Sequence, residues 1–291
     1  MGYIEIDESF DQLHIARLRH GLASHPLMST QSLAELALRL DPAFVRFHDG
    51  ERGLGTKIDN MLQKDPGRRN LRRAIENLGT SQAFVQIMNV RSDPEYRALL
   101  DEILDGLLPH LPPRDRRLLN RDAAAFLASP GSTTPFHLDH EQNFLCHIRG
   151  KKTFYVWDHR DRSIVSEPAL EEFFHQRRIR NLQYRPEMQA KAHMFQVEPG
   201  DTVYMPMGSP HAVSTGNEVT VTFSVLMNTR SSCDTVETYQ ANFLLRRLGL
   251  APGPVGTSSV RDWLKRTALN DARFLRDLAR GRRPERRVEW Y

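Results

Sequence analysis

Two short stretches constrain this chain more than anything else in it. The first, TPFHLDHEQNFLCHIRGKK, runs from Thr134 to Lys152 and carries His137-x-Asp139; the second, PGDTVYMPMGSPHAV, runs from Pro199 to Val213 and carries His211. Side chains alternate between the two faces of a β-strand, so His137 and Asp139, two residues apart, point the same way. A third group can join them only from a strand that folds back alongside. His211 suits that role, because it follows the turn-rich PMGSP and precedes the β-prone run VTVTFSVL. The expected product is a face of two histidines and one carboxylate on neighbouring strands.

Such a set occupies only part of a metal's coordination sphere. Non-haem Fe(II) oxygenases need this arrangement so that a co-substrate and O2 can bind at one ion, whereas closed structural sites use a full ligand set. A bare His-x-Asp pair is a weak pattern in a chain with 12 histidines among 291 residues. Neither His140 nor His147 is expected to be a ligand. His140 is three residues from His137 and so lies on the opposite strand face, and His147 is ten residues away.

The text around the pair is more specific. HLDHEQNFLCHIRGKKTF resembles the metal-binding strand region of the jumonji-C or cupin-like 2-oxoglutarate oxygenases, closest in motif to the hypoxia-inducible factor asparaginyl hydroxylase. The matching features are H-x-D, then Gln142-Asn143-Phe144, Gly150 and Lys152, and later the order P-G-D, aromatic, Pro, His that ends at His211. The resemblance covers roughly residues 81–230. It implies Fe(II) held by His137, Asp139 and His211, with 2-oxoglutarate and O2 as co-substrates. It further implies Lys152 and Thr134 on the distal carboxylate of 2-oxoglutarate, with Asn143 and Ser224 facing the same pocket. Two positions depart from the family pattern: Ser224 stands where that hydroxylase has an asparagine, and Phe84 where it has a tyrosine that contacts the co-substrate. Lys151 competes with Lys152, and strand alternation lets only one of them face inward.

The expected fold is mainly β with flanking helices, a double-stranded β-helix of the jelly-roll, cupin or jumonji-C type. The expected organisation is an N-terminal mixed segment packing on the barrel (1–80), a catalytic core (81–230) and a C-terminal helical region with a basic tail (231–291). In the first part SLAELALRL reads as a helix with Ser32 and Glu35 at capping-box spacing, FVRFHDG as a strand, and NLRRAIENLG as a helix stopped by Gly79. AFVQIMNV, AAAFLASPG and KKTFYVWD read as core strands. DPEYRALLDEILDGLLPHL and ALEEFFHQRRIRNL read as helices. After Arg230, TVETYQANFLLRRLGL and SVRDWLKRTALNDARFLRDLAR form two amphipathic patterns joined by APGPVGTSS.

Charge and cysteines narrow the surroundings. The formal charge is +4, and from Arg273 onward seven arginines stand against Asp277, Glu285 and Glu289, so the surplus sits in the tail. This reads as a solvated helix end, and nucleic acid is not an expected partner. Cys146 and Cys233 cannot make a disulfide framework. No apolar run is long enough to span a bilayer, and the opening MGYIEIDESFDQ has no signal-peptide character. A reduced, cytoplasmic setting without membrane attachment follows as an expectation.

The expected function is Fe(II)- and 2-oxoglutarate-dependent oxygenation, a hydroxylase of a peptide, protein or amino-acid side chain. N-methyl demethylation is the alternative within the family. A metal-binding cupin without oxygenase activity, an isomerase or a regulatory binder of a small acid, is the alternative outside it. A homodimer through the C-terminal helices is also expected, along a stripe of Phe243, Leu244, Leu248 and Trp263.

Overall fold

A computed structural model of the chain describes residues 2–49, 53–54, 69–80, 82–176 and 182–282. Two antiparallel sheets face one another. The larger has the order β1 (Ile4–Glu5), β2 (Ala16–His20), β10 (Asp201–Met205), β7 (Gln142–Arg149), β12 (Thr220–Asn228), β5 (Asn120–Ala128), β4 (Ala83–Ile87), β3 (Val45–Asp49). The smaller has the order β6 (Thr133–His137), β11 (His211–Thr215), β8 (Lys152–Val156), β9 (His193–Val197). This is the expected double-stranded β-helix. Its larger sheet recruits β1, β2 and β3 from the first 80 residues.

Strand β7 shows how sequence pattern becomes architecture. Phe144 and Cys146 point to one face, where they join Tyr204, Phe223 and Val225 against Leu33 and Leu36 of α1 (Thr30–Arg39) and Leu100 and Leu104 of α3 (Pro94–Leu107). Leu145 points to the other face and meets Val203, Met205, Phe154, Val156 and Val213 inside the barrel. Both faces of the strand are therefore dry. That is why QNFLCHIR is buried almost end to end rather than on alternate residues.

The outer face of the smaller sheet is covered as well. Phe136, Trp157 and Ala212 pack against Phe173 and Phe174 of α4 (Glu167–Gln176) and Val236 and Tyr239 of α5 (Arg230–Arg247). The chain also contains α2 (Arg69–Glu76) and α6 (Ser259–Ala279). No helix among the described residues is long and apolar enough to cross a membrane.

Local signals mostly behave as the sequence suggests, with one shift of register. The N-cap of α1 is Ser29, whose side chain accepts from the Ser32 backbone N–H, so Ser32 is not the cap that its spacing to Glu35 suggested. The Ser32 hydroxyl is turned back to the Pro26 carbonyl at 2.9 Å. Between β7 and β8 the turn is Gly150-Lys151. Gly150 has φ +80°, and a Cβ there would lie 2.6 Å from the Val219 carbonyl oxygen, so the turn admits only glycine without a shift. That turn fixes which lysine points inward.

Candidate metal centre

His137 ends β6 and His211 begins β11, and the two strands pair antiparallel with these residues directly opposite. Directly opposed residues share a face, so both imidazoles enter the barrel, with ring centroids 4.0 Å apart. Asp139 lies just beyond the end of β6 rather than on the strand. The turn still returns its carboxylate to the rings: Asp139 Oδ1 is 3.9 Å from His137 Nε2, and Oδ2 is 3.6 Å from His211 Nε2. One donor atom from each of the three residues lies within 4.8 Å of the others.

The hydrogen bonds fix which ring nitrogens are available. His137 Nδ1 is 2.7 Å from the Pro135 carbonyl and His211 Nδ1 is 3.1 Å from the Ser209 carbonyl. A carbonyl oxygen only accepts, so each Nδ1 carries a proton and Nε2 is the ring atom turned toward Asp139. Burial, reinforced by the neighbouring His137, holds His211 well below the usual imidazole range and so keeps it neutral. Burial alone would raise Asp139, but the His211 and His137 rings and the Asn143 amide more than offset this and keep the carboxyl ionised. Two imidazole nitrogens and a carboxylate thus converge on one point. A divalent cation fits that donor set.

Asn143 and Ser224 form a tether behind the carboxylate. Asn143 Nδ2 donates to Asp139 Oδ2 at 3.1 Å, and Ser224 Oγ donates to Asn143 Oδ1 at 2.6 Å. Both side chains are buried on the inner face of the larger sheet.

Farther into the barrel stands Lys152. Along β8 and β11, Val156 is opposite His211 and Lys152 is opposite Thr215, so Lys152 sits four residues, about 13 Å, from the metal end of the same face. Its side chain is buried, and burial pushes its pKa down to about 7. Nζ donates to Thr222 Oγ1 at 2.9 Å, and among the described residues no carboxylate comes within ion-pair distance of it. Lys151 points outward, 3.3 Å from Glu198 on the surface. Thr134 shares the interior face with Lys152 by a detour: a register shift in the β6–β11 ladder places it opposite Val213.

Thr222 escaped the sequence reading although the signal was present. It is two residues before Ser224 on one strand, so any argument that turns Ser224 inward turns Thr222 inward too. Its hydroxyl is 3.4 Å from His147 Nδ1, and His147 Nε2 lies 2.7 Å from the Gly150 carbonyl. His147 is therefore buried behind Lys152, away from the metal ligands. His140 stacks on Phe173, with centroids 4.0 Å apart, and also stays out of the triad. Phe84 stacks against His48 and Phe126 on the inner face of β4.

A family model described as a cupin-like domain matches residues 39–230. No curated protein sequence matches the chain. The solved structure of E. coli ycfD is 18% identical, with a TM-score of 0.51, over 89% of this chain and 63% of that one. That likeness is one of fold, and the chain spans less than two thirds of that protein. A structure of YcfD, a ribosomal oxygenase from Escherichia coli, in complex with cobalt and 2-oxoglutarate aligns at 17% identity and a TM-score of 0.49, over 89% of this chain and 62% of that one. The DMSP lyase DddQ from Ruegeria pomeroyi DSS-3 aligns over 37% of this chain and 38% of its own, at 17% identity and a TM-score of 0.24.

Proposed function

The chain belongs to the cupin-like domain family, and from that premise we propose that it is an Fe(II)- and 2-oxoglutarate-dependent oxygenase that hydroxylates a peptide, protein or amino-acid side chain. The observation that carries this reading is Lys152. A lysine buried inside a barrel with one hydroxyl for company is costly unless something anionic joins it. A cupin that only binds a metal has no need of that charge. A dicarboxylate anchored at the metal supplies the missing partner with its second carboxylate.

His137, Asp139 and His211 would hold the metal. Bound there with 2-oxoglutarate and O2, Fe(II) supplies oxidative decarboxylation of the co-substrate to succinate and insertion of oxygen into a C–H bond. The protein's own share is positioning and exclusion of water. The Pro135 and Ser209 carbonyls lock the two imidazole rings, and Asn143, held by Ser224, fixes the carboxylate. Lys152 and Thr222 receive the distal carboxylate, with Thr134 on the same face. Leu145, Phe154, Val156 and Val213 keep the space between the two ends dry. A protein substrate accords with YcfD, which is described as a ribosomal oxygenase.

Calorimetry of 2-oxoglutarate binding under anaerobic conditions, with the protein loaded with one divalent metal, tests the reading. Binding should require both the metal and Lys152. Binding that is indifferent to either one would favour a cupin without oxygenase activity.

A further inference from the structure

Thr222 stands between two groups that ask opposite things of its hydroxyl. Its Oγ1 lies 2.9 Å from Lys152 Nζ on one side and 3.4 Å from His147 Nδ1 on the other. A hydroxyl has one proton to give, so the neighbour that takes it decides what the other can be. His147 sets the direction. Its Nε2 is 2.7 Å from the Gly150 carbonyl, which only accepts, so Nε2 carries a proton. Burial, with the Lys152 charge adding to it, holds the imidazole down to about 4, so at neutral pH there is no second proton and Nδ1 keeps its lone pair. Thr222 therefore donates to His147 and turns lone pairs toward Lys152. An ammonium group can use only lone pairs, whereas an uncharged amine is best served by the hydroxyl proton. By taking that proton out of reach, His147 favours the charged lysine. Burial pushes Lys152 down to about 7, so at neutral pH a single hydrogen bond tips its charge.

The placement of the ring is specific. A register shift in the β12–β7 ladder between Val221 and Thr222 passes over Ile148 and sets Thr222 directly opposite His147. Bulges of this kind re-aim side chains beside functional sites. The ring cannot turn over without losing the Gly150 bond, and the His147 backbone carbonyl accepts from His20 Nε2 (2.9 Å) and the Gly200 N–H (3.0 Å). The residues that face the pair do not ionise: Val197 on β9 and Thr215 on β11 are opposite Lys152, and Phe126 on β5 is opposite Thr222. Behind the ring stand His20 on β2, which burial keeps below the usual imidazole range, and Asp201 on β10, bound by Arg17 and Arg19.

We propose that His147 is a positioning residue for the co-substrate: it takes the Thr222 proton, makes Thr222 Oγ1 an acceptor for Lys152, and so keeps on Lys152 the charge that the distal carboxylate meets. The identity of that carboxylate rests on the oxygenase reading above. The proton on Lys152 does not.

Carbon NMR of lysine labelled at Cε follows the charge of Lys152 directly, in the full chain loaded with Zn(II) and free of 2-oxoglutarate, the signal being assigned by its loss in Lys152→Ala. The wild-type midpoint should lie at about pH 7. His147→Leu should lower it by about one pH unit, the effect of losing one hydrogen-bond partner that favours the charged form. His147→Gln, which retains an acceptor and a donor, should recover most of that loss. In a Thr222→Val background His147→Leu should add nothing, because the hydroxyl is the link between the two residues. Affinity for 2-oxoglutarate, read by calorimetry, should follow the charge: in His147→Leu it weakens about eightfold at pH 7.5 and less than about twofold at pH 6. Circular dichroism checks the fold, and His147→Met, which fills the space with only a weak acceptor, replaces His147→Leu if that variant does not fold. A midpoint that stays in place, or one that moves equally with and without the Thr222 hydroxyl, would overturn the proposal, as would an affinity loss that is the same at pH 6 and pH 7.5. A midpoint that moves as expected in a protein that binds no 2-oxoglutarate at any pH would uphold the control of Lys152 by His147 and overturn the oxygenase reading instead.

Discussion

Lys152 Nζ donates to Thr222 Oγ1 at 2.9 Å, a contact between the smaller sheet and the larger one across the barrel interior. It joins the two halves of the fold at the end away from the metal ligands. The hydroxyl passes on toward His147 Nδ1, and His147 is in turn fixed by the Gly150 carbonyl. The inward Lys152 is thus positioned by the turn that precedes it.

Lys152→Ala should leave metal binding intact and cut 2-oxoglutarate affinity. An unpaired buried carboxylate costs about 3–5 kcal/mol, a few hundredfold or more in Kd. Lys151→Ala, on the outside against Glu198, should change little. Calorimetry on both variants decides, and reversed effects would mean that β8 carries the wrong lysine inward.

The same lysine predicts a pH dependence. Burial sets its pKa at about 7 in the free protein, and a bound carboxylate raises it. The complex therefore holds a proton that the free protein loses above pH 7. Affinity for 2-oxoglutarate should be full below pH 7 and fall as pH rises, approaching tenfold per unit until the raised pKa of the complex is reached. Titrations between pH 6 and 9 in buffers of different ionisation enthalpy measure both the fall and the proton uptake. A flat profile contradicts the assignment of Lys152 as the receiving cation.

Thr222→Val should weaken 2-oxoglutarate binding by about tenfold or more, the effect of losing one hydrogen bond of about 1.5–3 kcal/mol to a charged group. Its metal affinity should match the wild type. A loss of metal binding would show that the substitution had disturbed the barrel rather than the lysine.

Asn143→Ala and Ser224→Ala act at the other end. Removing a group that orients a metal ligand typically costs about 10–100-fold in metal affinity. Asn143→Ala touches Asp139 directly and should lie at the upper end, with Ser224→Ala, one hydrogen bond farther back, at the lower end. Competition titration with a chelator gives the order, and equal or inverted effects would break the tether argument.

The parts of this site legible in the sequence were those set by local rules. Alternation let only one of Lys151 and Lys152 face inward and the family motif singled out Lys152, while a turn-rich segment before a β-prone run delivered His211 beside His137. What stayed hidden depends on contacts between distant segments. The register shift that brings Thr134 opposite Val213 is a property of two strands pairing, and neither strand shows it alone. The Ser29 cap wins over Ser32 because the Ser32 hydroxyl has the Pro26 carbonyl within reach. The incorporation of β1 and β2 beside β10 rests on partners about 180 residues away, such as Arg19 opposite Asp201. The exposure of Trp263 on α6 fits the expected outward stripe, but that of Val260, Leu264, Leu275 and Leu278 was not read, since periodicity reveals a stripe but not which way it points.

The measurement that bears most directly on the central claim is succinate formation from 2-oxoglutarate under air with added Fe(II), compared for the wild type, His211→Ala and Lys152→Ala. The wild type should release succinate, slowly alone and faster when a substrate peptide is present. His211→Ala should release none, and Lys152→Ala should do so only at greatly raised 2-oxoglutarate. A wild type that binds metal and 2-oxoglutarate yet forms no succinate, with or without candidate peptides, would contradict the oxygenase account.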